Sequence, residues 1–309
     1  MAFDLSSLSS YVEEKKLDLI SKTLIGGKFM EIHNLQTGVV GPTAINLIEQ
    51  DTIFGDGSTC GFTASGSTTL TQRIITPGYI KVNKSYCDKD FLNYYQNYEV
   101  KLAAGKETLP FESKITETEI DKIIELKEIA LVQGDTDSLN ANLNKFDGLI
   151  KIIDGVSGST IAADNSGITS ITVSNVMTVI NNVYSKLPSK FLGKEGVAIV
   201  CGADVYKLYT QALTSANLYH YNAEQGKDGE MIIPGTSVRL IALHGLNTTN
   251  RVFGYKLDNV YVGTDMQNDS ETFDMWFSKD NDEFRLKASF GIGVQVAFPD
   301  EIVSFKLSE

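Results

Sequence analysis

The stretch Phe284-Arg285-Leu286-Lys287-Ala288-Ser289-Phe290-Gly291-Ile292-Gly293-Val294-Gln295-Val296-Ala297-Phe298 decides how this chain is read. Every second residue from Phe284 is apolar or alanine, while Arg285, Lys287, Ser289, Gly291, Gly293, Gln295 and Ala297 fill the positions between. Strand side chains alternate faces with a period of two, so only one register turns all the apolar groups inward. Upstream, Phe273, Met275 and Phe277 alternate with Thr272, Asp274 and Trp276, and turn-forming residues 279–282 separate the two runs. The spacing predicts a long antiparallel ribbon. After Pro299, Ile302, Ser304 and Lys306 alternate with Val303, Phe305 and Leu307, which predicts one more strand with a buried side. A ribbon with one apolar face needs a helix or a second sheet laid on it.

Working outward, 309 residues with 42% hydrophobic and 21% charged content give room for two or three compact units of an ordinary globular protein. Met1-Ala2-Phe3-Asp4 has no basic segment leading into an apolar one, and no apolar run reaches bilayer length, so neither secretion nor a membrane anchor is expected. Cys60, Cys87 and Cys201 are an odd count without zinc-type spacing, as in a reducing compartment. A net charge of −12 argues against a protein that grips nucleic acid by neutralising phosphates.

Taken in order, Ser10-Tyr11-Val12-Glu13 has the form of a capping box, and Val12, Lys16, Ile20 and Leu24 fall on one helical face ending at Gly26-Gly27. Between Asp51 and Thr76 the chain is dominated by Gly, Ser and Thr, with strand-like content from Thr68 to Ile75 and turn clusters at 55–57 and 65–67. It reads as an extended hairpin. A lone hairpin is marginal in water, and Ile53, Phe54, Phe62, Leu70 and Ile74 suggest one that reaches onto a partner rather than a disordered loop. Gly78 to Tyr86 reads as a strand and Asp88 to Gly105 as a helix. Thr116-Glu117-Thr118-Glu119, a second capping-box match, opens a long helix carrying Ile120, Ile123, Ile124, Lys127 and Leu131 up to Gly134. That helix is the natural cover for the ribbon, and a short helix ends at Asp154-Gly155.

Composition shifts at 155–167, and beyond it the order becomes helix (176–187), strand (197–200), helix (203–213), then strands at 237–243, 251–255 and 260–262. Segments 36–154 and 246–309 are each incomplete alone, so they read as one domain interrupted by 156–245.

The chain shows little chemistry. His33, His220 and His244 have no metal-ligand spacing, no Gly-x-Ser-x-Gly elbow is present, and Cys201-Gly202-Ala203-Asp204 is a plain strand-to-helix turn rather than a phosphate loop. Asp280, Asp282 and Glu283, like Asp135 and Asp137, suit turns better than a calcium loop. No catalytic residue, cofactor or metal is assigned. A reaching loop and an arm suggest a part that works through surfaces.

Together the pieces resemble the major capsid proteins of tailed bacteriophages, the Hong Kong 97-type fold, over nearly the whole chain. The likeness is carried by Cys60-Gly61-Phe62-Thr63-Ala64-Ser65-Gly66 running into Thr71-Gln72-Arg73, by Phe146-Asp147-Gly148-Leu149, by residues 199–206 and 259–265, and by the closing run from Phe290 to Phe305. The style is similar to short capsid proteins of phages infecting Bacteroidota. The resemblance implies an α+β fold: N-terminal arm (1–35), extended β-hairpin loop with flanking strands (36–85), peripheral domain with spine helix (86–155), inserted axial α/β domain (156–245) and return strands (246–309).

It further implies a virion protein, assembled in the host cytoplasm, whose hexamers and pentamers close an icosahedral shell around double-stranded DNA. Portal, scaffold or decoration proteins are the implied partners. The axial segment would meet its copies at the capsomer centre and the loop would lie across the adjacent subunit, which makes Phe54, Cys60, Phe62, Leu70 and Arg73 the candidate subunit-contact residues. The loop holds no lysine between Asp51 and Thr76, so no lysine–asparagine cross-link is expected from it. No long charged N-terminal extension is present to act as a fused scaffold. Two alternatives stay open: an encapsulin-type nanocompartment shell, and a small-molecule enzyme needing Asp204, His220 and His244 in one pocket.

Overall fold

The structure is a computed structural model that describes residues 19, 22, 23, 25–55, 58, 60, 61, 65–87, 111–156, 158–217, 229–265, 272–278, 280, 281 and 283–308. The helix expected over 88–105 lies outside these residues, as does most of the one expected over 10–26. Leu19 and Thr23, near the end of the latter, are helical and buried.

A short helix α1 (Lys28–Ile32) leads into β1 (Asn34–Thr37). Then β2 (Thr43–Asp51) and β3 (Ser67–Ile75) pair with each other and, among the described residues, with no other strand, and β4 (Gly78–Cys87) follows. The long helix α2 (Phe111–Gln133) and the short α3 (Leu149–Gly155) come next. The two-residue β5 (Ile161–Ala162) precedes α4 (Val176–Lys186), β6 (Val197–Gly202) and α5 (Ala203–Ser215). The rest is β7 (Glu230–Ile232), β8 (Arg239–Leu243), β9 (Val252–Lys256), β10 (Val260–Thr264), β11 (Thr272–Ser278), β12 (Glu283–Val296) and β13 (Val303–Phe305).

β12 is the axis of the first sheet. One of its edges carries β11 (Phe273↔Ala288) and then β10 (Val262↔Val294), the other carries β4 (Val82↔Ala288), and β1 runs parallel to β10. Leu286, Ala288, Phe290, Ile292, Val294 and Val296 are all buried on one side, in the phase that the alternation predicts. The strand ends at Val296, so Phe298 leaves that face and packs with the root of the β2–β3 hairpin instead. α2 lies over the buried face: Ile120, Ile123, Ala130 and Leu131 join Leu286, Ala288 and Phe290 in one core. Across the joint, Glu119 accepts hydrogen bonds from Lys84 Nζ (2.5 Å) and from the Tyr86 hydroxyl (2.7 Å). Among the described residues the helix already runs from Phe111, so Thr116 is a buried residue inside it and the expected capping box there is not the helix start.

The second sheet has the order β5-β13-β9-β6-β8-β7. All six residues of β6 are buried, because the sheet is covered on both faces. Ile199 and Cys201 face α4 and α5, with Val179, Val183, Val205 and Phe305. Ala198 and Val200 face the other way and share the large core with α2 and β12. β9 and β13, both drawn from 246–309, pair in this second sheet, whereas β10, β11 and β12 pair in the first. Position 245 therefore does not divide one sheet from the other. Alternation reports which side of a strand is buried and carries nothing about which distant strand it will pair with.

Candidate functional site

Exposure of apolar side chains that have no core of their own marks the β2–β3 hairpin as the surface most in need of explanation. Antiparallel register puts Ala44 opposite Ile74, Asn46 opposite Gln72, Ile48 opposite Leu70 and Gln50 opposite Thr68 on one face. Thr43 and Ile75, Ile45 and Arg73, Leu47 and Thr71 share the other. The second face is anchored near its root, where Ile45, Leu47 and Ile75 bury against Val39 and Ala297, with Tyr261 and Phe298 alongside. Gln295 Nε2 donates to the Ile74 carbonyl (2.7 Å), and the Tyr79 hydroxyl donates to the Val40 carbonyl. Beyond Leu47 every residue of β2, and every residue of β3 from Ser67 to Gln72, is exposed.

The outward face exposes large apolar side chains between polar pairs. Ile48 and Leu70 are 60% and 74% exposed, Ile74 is 54% exposed, and at the tip Phe54 is 96% exposed. Its rigidity is local: Gln72 Nε2 donates to Asn46 Oδ1 (2.8 Å), and Ser65 Oγ donates to the Ile53 carbonyl (2.9 Å). Gly66, at φ +87°, passes so close to the Asp51 carbonyl that a Cβ there would lie 2.1 Å from it. The neck of the hairpin is thus closed by backbone.

Of the residues singled out from sequence, Phe54 and Leu70 project from the hairpin and Cys60 is exposed near its tip. Phe62 lies outside the described residues. Arg73 is half-buried on the face opposite Leu70, beside Ile45, and forms no ion pair among the described residues. The residue that sequence reasoning missed is Ile48, the cross-strand partner of Leu70. Its signal was the Ile45/Leu47 alternation, which starts before the Gly-, Ser- and Thr-rich segment.

Other clusters are accounted for by the fold. Lys151 gathers Asp135 (2.6 Å), Asp137 (2.7 Å) and Asp147 (3.0 Å), and its hydrogen bonds hold the Asp135 carboxyl below the usual carboxylate range. A cleft of about 580 Å³ beside it is lined by Gln133, Lys151, Asp154, Arg251 and Lys306, with Arg251 bonded to Asp154. Asp204 accepts backbone N–H bonds from Val205 (2.8 Å) and Thr248 (2.9 Å), while the His244 ring lies 2.9 Å from the Asn247 side-chain amide. Neither Asp204 nor His244 lines that cleft, and His220 lies outside the described residues. Burial pushes the Cys201 thiol pKa up, away from reactivity. Among the described residues no group of three or more His, Cys, Asp or Glu is arranged to hold a metal, and no helix is long and apolar enough to cross a membrane.

No protein-family model matches this chain, and no curated protein does. Solved structures do. A chain of the satellite phage P4 procapsid that includes the size determination (Sid) protein is 12% identical, with a TM-score of 0.59, over 100% of this chain and 99% of that one. The capsid of myovirus phage XM1 matches at 10% identity and a TM-score of 0.53, over 92% of both chains. A virus-like particle from Pyrococcus furiosus matches at 11% identity and a TM-score of 0.51, over 97% and 98%. At such identities it is the fold that is shared, and it is the fold, mixed α+β, of chains found in phage capsids and a virus-like particle.

Proposed function

We propose that this chain is a capsid shell subunit that assembles as hexamers and pentamers into the icosahedral head of a tailed phage, enclosing double-stranded DNA. The observation that carries the reading is the β2–β3 hairpin, which exposes Ile48, Phe54, Leu70 and Ile74 with nothing among the described residues packed over them. A two-stranded hairpin is marginal in water, and burying large aliphatic side chains on a neighbour contributes roughly 1.5–3 kcal/mol each. Repeated around a ring and then a shell, so modest a contact becomes a stable closed assembly, because each subunit engages several neighbours at once. The fold shared along the full length with a procapsid chain supports the same reading. In it Phe54, Cys60, Phe62 and Leu70, together with Ile48, meet the adjacent subunit, and Arg73 offers its guanidinium to an acid there. The segment 156–245 lies toward the capsomer centre, and portal or scaffold proteins join as separate chains.

A second reading, a nanocompartment shell that holds protein cargo instead of a genome, draws on the likeness to the Pyrococcus furiosus particle. One experiment separates the two. Particles isolated from a producing culture are imaged by negative-stain electron microscopy, and their content is measured by ultraviolet absorbance and nuclease protection. DNA-filled shells support the phage head, and shells filled with protein alone support the nanocompartment. A chain that stays monomeric at high concentration, alone and when produced together with its neighbouring genes, overturns both.

A further inference from the structure

We propose that two copies of this chain pair edge to edge through β3, antiparallel and about a two-fold axis at Leu70, so that their hairpins form one four-stranded sheet. The proposal rests on the shell reading, which supplies the second copy. β3 gives one edge to β2, and among the described residues no strand takes the other. The register runs from Thr43↔Ile75 to Asp51↔Ser67 without a bulge, so the open edge is regular. Its backbone N–H and C=O groups, on alternate residues, are left to water or to another strand.

Edge strands are usually guarded by charge, proline or a bulge. β2 carries Glu49 and Asp51 at its tip-side end, whereas Ser67-Thr68-Thr69-Leu70-Thr71-Gln72 on β3 holds no charge, no proline and no glycine, and is exposed throughout. Its β-branched threonines suit a strand. Pairing this run with its own copy brings no like charges together. Centred on Leu70, the pairing sets Thr69 opposite the second copy's Thr71, and Thr68 opposite its Gln72. Residues directly opposite share a face, so Ile48 and Leu70 of one copy continue into Leu70 and Ile48 of the other. A pair too small to hold a two-stranded hairpin thus becomes a row of four, across a sheet wide enough to be stable.

The test is a register-specific cross-link. Cα atoms directly opposite in an antiparallel pair lie about 4.5–5.5 Å apart, within disulfide reach, while diagonal neighbours lie about 7–8 Å apart, beyond it. Particles of Thr69→Cys/Thr71→Cys, made in a Cys60→Ser background, should pass from monomer to covalent dimer on oxidation, read on a non-reducing gel. Thr69→Cys and Thr71→Cys alone should stay monomeric, because each cysteine then faces a threonine. Leu70 is kept in all of them. A second measurement needs no substitution: in wild-type particles, alternate amides between Ser67 and Gln72 should exchange about a hundredfold more slowly than in the unassembled chain. Particles whose double variant stays monomeric, or whose single variants cross-link equally, overturn the edge pairing and leave the shell reading standing. Slowed exchange without the cross-link means that a different strand takes the edge, which also overturns it. A chain that forms neither particles nor dimers overturns both readings.

Discussion

Gly263 on β10 stands opposite Gly293 on β12, and the root of the hairpin rests on the face they leave bare. A Cβ on Gly263 would lie 2.9 Å from Ile75 Cγ2, and one on Gly293 would lie 2.8 Å from the Thr76 carbonyl oxygen. The glycines that interrupt the polar face of the ribbon are thus where a second layer sits down on it. Gly293→Ala meets backbone, which cannot rotate away, so it should destabilise the chain by about 1–3 kcal/mol. Urea unfolding measures the loss, and hydrogen exchange should show protection falling in β3 before β12. An unchanged midpoint and an unchanged exchange pattern would show that the root does not rest there.

Leu70 on β3 and Ile48 on β2 stand opposite each other on the outward face, and substitutions at the two should act alike. Leu70→Asp removes apolar surface that is 74% exposed, so the unassembled chain should keep its stability within about 0.5 kcal/mol. Assembly should fail, because the charge would be buried against a neighbour without a partner. Ile48→Asp should behave the same way, being the residue opposite. Light scattering and electron microscopy read the assembly, and normal shells from both variants would remove the hairpin face from the contact.

How much of this was legible depended on whether one side of an element was dry. β12 was legible because a single face is buried along its length, and β6 because it is an unbroken apolar run. β2 was not, since Ala44, Asn46, Ile48, Glu49 and Gln50 are all exposed and only Ile45 and Leu47 mark the inner side. A strand that is wet on most of both faces has no pattern to read. The start of α2 was misjudged because Thr116 and Glu119 match a capping box at the right spacing. In the fold Thr116 lies in the buried stripe with Ile120 and Ile123, and Glu119 ties the helix to β4. The Ile48–Leu70 pair needed the register, which is not a property of any local stretch.

His33 joins α1 to the second sheet and should make stability fall in mild acid. Its Nδ1 lies 2.8 Å from the Phe29 carbonyl, which can only accept, so Nδ1 carries the proton and Nε2 accepts from the Tyr255 hydroxyl at 2.9 Å. Burial holds the ring neutral and lowers its pKa to about 4, against 6.5 when unfolded. Above 6.5 both states are neutral. As pH falls from 6.5 to 4 the unfolded chain takes a proton that the folded chain refuses, and on the order of 3 kcal/mol is lost. Denaturant midpoints across that window test it, and His33→Gln should flatten the slope while lowering stability at pH 7. A slope equal in both chains would refute the assignment.

Lys127 should do the reverse above neutrality. It is 2% exposed on the face of α2 that receives the N-terminal segment, donates to the Thr23 carbonyl (2.7 Å), and follows Ile123 in the buried stripe. Burial lowers its pKa to about 7 from 10.5, with neighbouring Glu128 opposing the shift. Between those values the unfolded chain holds a proton that the folded chain has released, so stability rises with pH by up to about 1.4 kcal/mol per unit. The neutral amine still has an N–H for Thr23. The useful window is pH 7 to 9, because at higher pH the buried Tyr255 and Cys201, both with raised pKa values, begin to pull the other way. Lys127→Met removes the titrating group and keeps most of the volume, so its stability should be level across that window. A wild-type midpoint that is flat or falling from pH 7 to 9 would mean that Lys127 stays charged in the fold, with the N-terminal segment resting on a buried ammonium.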